Sequence, residues 1–207
     1  MSQVLPPRPD DEFTGKYEEA GRVGHWLLRR FYAAVEELLA PRLGSGAHVL
    51  EVGCGAGYSS QRLLQWLPKG TRYVGSDITA SLLAQATARN PGTSFIQQSA
   101  YGLALPDKSV DAIVMLEVLE HLNEPDLALS ELRRVARHTV IISTPREPIW
   151  RILNMSRGKY LRDFGNTPGH IQHWSTRGLR RFASSEFSIV DARTPLPWTL
   201  LALSPRS

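Results

Sequence analysis

Short apolar segments alternate with helix-like segments from His48 to Ser143, and this alternation constrains the fold more than any other feature. The predicted strands are His48–Glu51, Arg72–Gly75, Thr93–Gln97, Val110–Leu116 and Thr139–Ser143, and the predicted helices are Tyr58–Leu67, Ser81–Arg89 and Asp126–Arg137. Short connections in this order predict a mostly parallel sheet covered by helices on both faces. Two further strands, Phe187–Arg193 and Trp198–Leu203, are predicted to pair antiparallel across Thr194–Pro197. The predicted fold is therefore α/β, doubly wound and Rossmann-like, with a seven-stranded sheet and an antiparallel closing strand.

The chain's 207 residues fit one domain with a full hydrophobic core. Residues 1–16 are predicted to be a disordered, proline-containing tail, and residues 17–207 a single domain that begins with a helix from about Tyr17 to Ala40. Residues 145–174 carry no clear strand pattern. Because a long connection inside a compact domain is often functional, they are predicted to form a lid and acceptor wall. Ser175 then predicts the cap of a helix.

Charge and cysteine content narrow the classes of function. Lys and Arg number 24 against 20 Asp and Glu, and no long basic run indicates a nucleic-acid partner. The single cysteine, Cys54, excludes an internal disulfide and a four-cysteine zinc site, and a cytoplasmic setting is expected. No window of 18 apolar residues predicts a membrane span, and the first ten residues lack the pattern of a signal peptide.

A glycine-rich turn follows the first predicted strand. Gly53, Gly55 and Gly57 stand at alternate positions before the next helix. Glycines let a backbone turn sharply and approach a ligand, and doubly wound sheets bind ligands at the carboxyl ends of their strands. The alternative is a turn required for packing alone. The acidic Glu51, two residues before Gly53, favours a ligand site.

An acidic residue, Asp77, ends the second predicted strand twenty residues after Gly57. A carboxylate there can accept hydrogen bonds from both hydroxyls of a ribose, although it could instead cap the helix that begins near Thr79. Nicotinamide dehydrogenases require G-x-G-x-x-G at the turn, whereas Tyr58 follows Gly57 here. The observed G-x-G-x-G spacing fits a nucleoside without a pyrophosphate.

Four sequence blocks now occur in a defined order: VLEVGCGAGYSSQRLL, YVGSDIT, LALPDKSVDAIVMLEVLEHL and ALSELRRVAR. With them, the stretch from Val49 to about Arg137 resembles the class I S-adenosylmethionine-dependent methyltransferases, especially their small-molecule, type 11 branch. The resemblance covers nearly half of the chain. It implies S-adenosylmethionine as the cofactor and methyl transfer by in-line displacement to an oxygen, nitrogen or carbon of a small-molecule acceptor.

The resemblance implies cofactor contacts around the first two strands. Glu51 and the backbone of Gly53 are expected beside the methionine amino group of the cofactor. Gly55 and Gly57 are expected to pass close to the sulfonium and the ribose, and Asp77 to hold the ribose hydroxyls.

The adenine side shows a departure from the family pattern. Ile78 is expected to pack on the adenine, and Leu116 and Glu117 to border the methionine part of the cofactor. The family often has an aspartate after the third strand that contacts the adenine amine. Ser99, next to Ala100, occupies that place here, and a hydroxyl accepts a hydrogen bond less strongly than a carboxylate.

Three further residues are interpreted from the same pattern. Tyr17 is expected to close over the cofactor, the alternative being a core tyrosine. Cys54 lies inside the glycine turn and is counted among the cofactor-binding residues, without a nucleophilic role. His121 is interpreted as structural, at the head of a helix.

Methyl transfer from a sulfonium requires mainly alignment and the exclusion of water, because the donor is already activated. An oxygen or nitrogen acceptor can also need a base. His170 and His173 are the candidate catalytic residues, since a histidine titrates near neutrality. The alternative is that both only orient the loop. Their spacing permits a metal pair, but no third ligand is apparent in the sequence, so no metal is expected.

Two other functions compete with small-molecule methylation. Enzymes that methylate amino groups of nucleic acid or protein often carry Asn or Asp followed by Pro-Pro after the fourth strand, where this chain has Met115–Val118. A non-catalytic module that only binds S-adenosylmethionine would not need the long segment of residues 145–174. The sequence therefore favours an enzyme with a small-molecule acceptor.

Overall fold

The computed structural model describes residues 21–206 and contains a seven-stranded sheet. The strands are β1 (His48–Val52), β2 (Arg72–Asp77), β3 (Ser94–Gln97), β4 (Val110–Leu116), β5 (Ala136–Pro145), β6 (Phe187–Arg193) and β7 (Trp198–Pro205). The helices are α1 (Arg22–Leu39), α2 (Tyr58–Leu63), α3 (Ala80–Arg89), α4 (Pro125–Val135), α5 (Ile149–Ser156) and α6 (Thr176–Ala183), with short 3-10 helices at Ala40–Arg42, Leu119–His121 and Leu161–Asp163.

The strand order, β3-β2-β1-β4-β5-β7-β6, confirms the predicted doubly wound sheet. Strands β1 to β5 pair in parallel, and β7 lies antiparallel between β5 and β6. The direction of winding reverses between β1 and β4. In such sheets the crevice outside the carboxyl ends of these two strands is where ligands bind.

Strand β4 shows why both faces of the sheet need helices. Its side chains alternate between two buried clusters: Ile113 packs on one face with Leu129 of α4, and Val114 packs on the other with Val35 and Leu38 of α1. All five side chains are fully buried. Burial of each contributes about 1.5–3 kcal/mol. The near-continuous apolar sequence of β4 is therefore a requirement of its central position.

Two predicted helices end earlier than expected. Helix α2 stops at Leu63 because the following turn tightens, with Trp66 N–H donating to the Leu63 carbonyl at 3.2 Å. Helix α4 stops at Val135 because the next residue, Ala136, pairs with Val110 of β4 and begins β5. Tertiary pairing thus overrides local helical periodicity at this boundary.

Residues 145–174 contain α5, a helix that the sequence pattern did not predict. It has only eight residues and follows Pro148, so its apolar periodicity is short. The two ends of the segment meet at the carboxyl end of β5, because Arg146 bridges Trp174 and Glu147 N–H donates to the Trp174 carbonyl at 2.9 Å. The segment is therefore a closed loop between β5 and α6. The predicted cap of α6 is confirmed, with Ser175 Oγ accepting from Gly178 N–H at 3.0 Å.

The predicted tail of residues 1–16 and the predicted lid residue Tyr17 lie outside the described residues. Helix α1 is described from Arg22 onward, within the predicted first helix. In the part of the chain from residue 21 to 206, no helix has the length and apolar character needed to cross a membrane.

Candidate cofactor and acceptor site

The glycine turn connects β1 to α2 through three left-handed residues. Gly53, Gly55 and Gly57 have φ values of 78°, 51° and 79°. The turn is fixed to the neighbouring strand because the Gly53 and Cys54 N–H groups both donate to the Ser76 carbonyl, at 2.7 and 2.9 Å. The predicted turn is therefore present, at the carboxyl ends of β1 and β2.

The three glycines differ in what surrounds them. A Cβ atom on Gly53 would lie 2.3 Å from Val118 Cγ2, and one on Gly57 would lie 2.8 Å from Ala86 Cα. Packing alone thus requires glycine at both places. A Cβ atom on Gly55 would meet no atom of residues 21–206 within 4 Å. Gly55 itself is buried, but the space on the side where a side chain would stand is open, so a ligand group can fit against its backbone there.

Asp77 joins the glycine turn to the start of α3. One carboxylate oxygen accepts from Gly55 N–H at 2.9 Å, and the other accepts from Thr79 N–H, also at 2.9 Å. The capping role that the sequence left as an alternative is not seen: the N-cap residue of α3 is Thr79, which has no side-chain cap bond, and the Asp77 bond to Thr79 N–H closes a turn before the helix. A carboxylate offers about four acceptor sites, so these two bonds leave capacity for ribose hydroxyls.

Glu51 lies beneath the turn, with 1% of its surface exposed. Its Oε2 accepts hydrogen bonds from Ser60 Oγ, at 2.6 Å, and from the Tyr73 hydroxyl. Burial raises the pKa of Glu51, and the charge of Asp77 adds to that rise, while hydrogen bonds from neighbouring hydroxyls oppose it. The carboxylate thus braces α2 against β1 and β2, and its expected contact with the methionine amino group stays a prediction.

Cys54 is buried under the same turn, and its Sγ contacts the Gly55 carbonyl at 3.8 Å. Burial raises the pKa of the Cys54 thiol, and the charges of Glu51 and Asp77 raise it further. A neutral, buried thiol is a poor nucleophile. The part of Cys54 available to a ligand is its backbone.

The residues expected on the adenine side follow two paired strands. Asp77 pairs with Gln97, so Ile78 and Ser99 both stand just beyond the same edge of the sheet. Ile78 is 60% exposed, an unusual position for a large aliphatic side chain. Ser99 Oγ accepts from Tyr101 N–H at 3.2 Å and so holds the turn that contains Ala100.

Glu117 follows Leu116 at the end of β4 and adopts a left-handed backbone with φ 58°. Its Oε1 accepts from Ser143 Oγ at 3.0 Å, its Oε2 accepts from Trp198 Nε1 at 2.7 Å, and its own N–H donates to Ser143 Oγ at 3.0 Å. Left-handed non-glycine residues persist only where their surroundings hold them, and they cluster at functional sites. The carboxylate is thus fixed between β5 and β7 at the crevice.

The two candidate catalytic histidines occupy different surroundings. His170 is buried, with 8% of its surface exposed; its ring lies 4.7 Å from that of His121 and stacks at 6.0 Å on Trp150. His173 Nε2 lies 2.9 Å from Arg151 Nη2 and 2.8 Å from Asn166 Oδ1. Burial lowers the pKa of His173, and the charge of Arg151 lowers it further. His173 is therefore neutral near pH 7 and bound within its own segment.

The structure brings to His170 two potential ligands that the sequence did not reveal. His173 is not its neighbour in a metal pair; instead, the ligand atoms of Glu120, His121 and His170 all lie within 4.8 Å of one another. The segment is fixed there because the Ile171 and Gln172 N–H groups donate to the Glu120 carbonyl, at 2.9 and 3.0 Å. The adjacent Glu120 and His121 after β4 were a usable signal in the sequence. It was missed because His170 lies about 50 residues farther along the chain.

The sequence of this chain is similar to those of known methyltransferases. Residues 50–143 match the family described as "Methyltransferase domain". A protein of Mycolicibacterium smegmatis described as "Probable S-adenosylmethionine-dependent methyltransferase" is 32% identical over 147 residues, which are 70% of this chain and 53% of that protein. An 18S rRNA (guanine-N(7))-methyltransferase of Arabidopsis thaliana is 28% identical over 125 residues, 60% of this chain and 42% of that protein.

Among solved structures, the magnesium protoporphyrin IX methyltransferase of Synechocystis PCC 6803, with bound SAH, superposes with a TM-score of 0.69 at 20% identity. The superposition covers 95% of this chain and 94% of that one. At this identity the likeness concerns the fold. The chain spans about half the length of the curated relatives it matches.

Proposed function

This chain carries a domain of the S-adenosylmethionine-dependent methyltransferase family, and we propose that it transfers the methyl group of that cofactor to a small-molecule acceptor. The observation that carries the proposal is the glycine turn. The Cβ position of Gly55 faces open space, and the Asp77 carboxylate accepts a hydrogen bond from its N–H group. A backbone without a side chain and a carboxylate beside it can together receive a nucleoside.

The residues around this turn fit the cofactor. Asp77 would hold the ribose hydroxyls, Ile78 would cover the adenine, and Leu116 with Glu117 would border the methionine part. S-adenosylmethionine supplies a methyl group already activated by the sulfonium. The chain's residues then have to orient the acceptor in line with that methyl group and exclude water.

Residues 145–174 would supply the acceptor wall. Three of their apolar side chains, Ile152, Leu161 and Phe164, are exposed, and Arg151 and Arg162 lie among them. Such a surface favours an acceptor with an apolar body and a carboxylate or phosphate, the alternative being a solvated basic face. Both histidines stay candidate bases of this proposal: His170 lies against His121 and Trp150, and His173 lies beside Arg151 and Asn166.

The acceptor class is the finer part of the proposal. One relative is named for an rRNA acceptor and one structural neighbour for magnesium protoporphyrin IX. A small molecule is favoured by the absence of a long basic run in the sequence and by the exposed apolar side chains of residues 145–174. A cytoplasmic site of reaction belongs to the same proposal and is supported by the single, unpaired cysteine.

A turnover assay tests this proposal. Release of S-adenosylhomocysteine would be measured with panels of small aromatic, quinone-like and acidic metabolites, with total RNA, and with a protein extract. Turnover confined to a small molecule is expected. Turnover on RNA or protein alone would contradict the small-molecule acceptor, and cofactor binding without turnover on any panel would indicate a binding module.

Alanine substitution separates the two histidines. His170→Ala is expected to reduce turnover by about 10²–10⁴-fold while cofactor binding persists, if His170 manages the acceptor proton. His173→Ala is expected to have a smaller effect. Near-normal turnover in both variants would show that the histidines are structural and that alignment alone carries the reaction.

A further inference from the structure

We propose that Glu120, His121 and His170 form a binding site for a divalent metal ion beside the acceptor wall. Glu120 and His121 belong to the short 3-10 helix after β4, and His170 belongs to the segment that returns to α6. Their ligand atoms lie within 4.8 Å of one another. Glu120 is buried with 1% of its surface exposed, so a cation there would face a carboxylate in a medium of low dielectric constant.

The ligand atoms lie about 1 Å farther apart than a shared ion would hold them. Two ligands at about 2.1 Å from one ion lie about 3.0–3.4 Å apart for octahedral or tetrahedral angles. His121 Nε2 is already 3.9 Å from Glu120 Oε1. The rings of His121 and His170 meet edge to face, with centroids 4.7 Å apart. Side-chain movements of about 1 Å would complete the coordination.

A hydrogen bond orients His121 as a metal ligand. Its Nδ1 lies 2.8 Å from the Gly169 carbonyl oxygen, which can only accept, so Nδ1 carries the proton. Nε2 then presents its lone pair on the side of Glu120. A histidine that donates its second N–H to a backbone carbonyl is the usual arrangement around protein-bound metals.

The surrounding structure holds the other two ligands in place. The Glu120 carbonyl accepts from the N–H groups of Ile171 and Gln172, so the two chain segments cannot separate without breaking both bonds. Trp150 stacks on His170, and its Nε1 donates to Thr167 Oγ1 at 2.9 Å. The site is therefore built from two segments that lie 50 residues apart but are tied by backbone bonds.

The donor set selects the class of ion. Two imidazole nitrogens and one carboxylate oxygen suit Zn²⁺, Mn²⁺ or Co²⁺, and they leave positions for other ligands. Resting on the proposed methyl transfer, the ion would bind a hydroxyl of the acceptor and lower its pKa, as metals do for bound water. With the ion bound, His170 would be a ligand and not a base, so the acceptor oxygen would lose its proton to solvent and bond to the methyl carbon. The carbon–sulfur bond breaks with its electron pair remaining on sulfur, which yields S-adenosylhomocysteine and a methyl ether.

Metal titration tests the site without relying on activity. The purified full chain, freed of metal with a chelator, would be titrated with ZnCl₂ and with MnCl₂ by calorimetry. One ion per chain is expected. Glu120→Gln and His170→Gln are each expected to weaken metal binding by about 100-fold. Loss of a residue that only supports a metal ligand typically weakens binding by about 10–100-fold, and loss of a ligand itself should cost at least as much. His138→Ala removes an exposed imidazole elsewhere and is the matched control, expected to bind as the wild type does.

Wild-type measurements keep the test decisive if a variant fails to fold. Addition of CoCl₂ to the metal-free wild type is expected to give visible absorption bands that ZnCl₂ abolishes. No metal binding by the wild type, or unchanged binding by folded Glu120→Gln and His170→Gln, would overturn the proposal. Titration of the wild-type chain with S-adenosylmethionine, without and with added metal, separates the two claims. Cofactor binding with no metal binding would refute only the metal site. Absence of cofactor binding under both conditions would refute the proposed function.

Discussion

Substitution of Asp77 tests which of its two roles matters. Asp77→Ala removes the acceptor for Gly55 N–H and for Thr79 N–H, and it removes the proposed ribose contact. A hydrogen bond to a charged group contributes about 1.5–3 kcal/mol, so the dissociation constant for S-adenosylmethionine should rise by about 10–150-fold. Loss of the bond to Thr79 N–H should also cost about 1 kcal/mol of folding stability.

Asp77→Asn separates these effects. The amide oxygen of asparagine can keep one of the two bonds to backbone N–H, so the variant should lose less stability in urea than Asp77→Ala does. It lacks the charge, and its amide presents only one acceptor oxygen, so cofactor binding should still weaken. Calorimetry would measure the affinity, and urea unfolding the stability. If Asp77→Asn binds the cofactor as tightly as the wild type, and the affinity of Asp77→Ala falls only by its unfolded fraction, Asp77 only holds the turn and the ribose assignment is wrong.

Three further substitutions are informative. Gly55→Val should abolish cofactor binding. The control Gly46→Val shares a left-handed φ and an open Cβ position and should only lower stability. Equal cofactor binding by both variants would show that the ligand does not approach Gly55. Because burial raises the pKa of Glu51, the folded state holds the proton more tightly than the unfolded state, so wild-type stability should fall as pH rises from about 4.5 through the raised value. Glu51→Gln should flatten that fall in thermal unfolding scans, and an unchanged pH dependence would contradict the buried-acid assignment. Trp198→Phe leaves Glu117 without its indole donor and should cost about 1.5–3 kcal/mol in urea unfolding, whereas a cost below 0.5 kcal/mol would show that water replaces the bond.

The fold could be predicted from the sequence wherever an apolar pattern coincided with a burial requirement. Strand β4, buried on both faces, and strand β6 begin and end at the predicted residues. The glycine turn was predictable because three left-handed positions demand three glycines. Helix α5 was not, since eight residues after a proline carry too little periodicity to distinguish a helix from a loop.

The site was less predictable than the fold, because its chemistry depends on contacts between distant segments. Local pattern could not reveal that the Glu51 carboxylate bonds to Ser60 and Tyr73 beneath the turn. It also could not reveal that His170 meets His121 across about 50 residues, because this contact depends on the closed loop of residues 145–174. The residue types identified candidate site residues, but only the tertiary structure shows which of their side chains lie together.

Calorimetric titration of the purified chain with S-adenosylmethionine, run beside an identical titration with NADH, tests the proposed function most directly. Saturable binding of one S-adenosylmethionine per chain is expected, together with no measurable binding of NADH, because the turn reads G-x-G-x-G. Tight binding of NADH without binding of S-adenosylmethionine would contradict the assignment of this site.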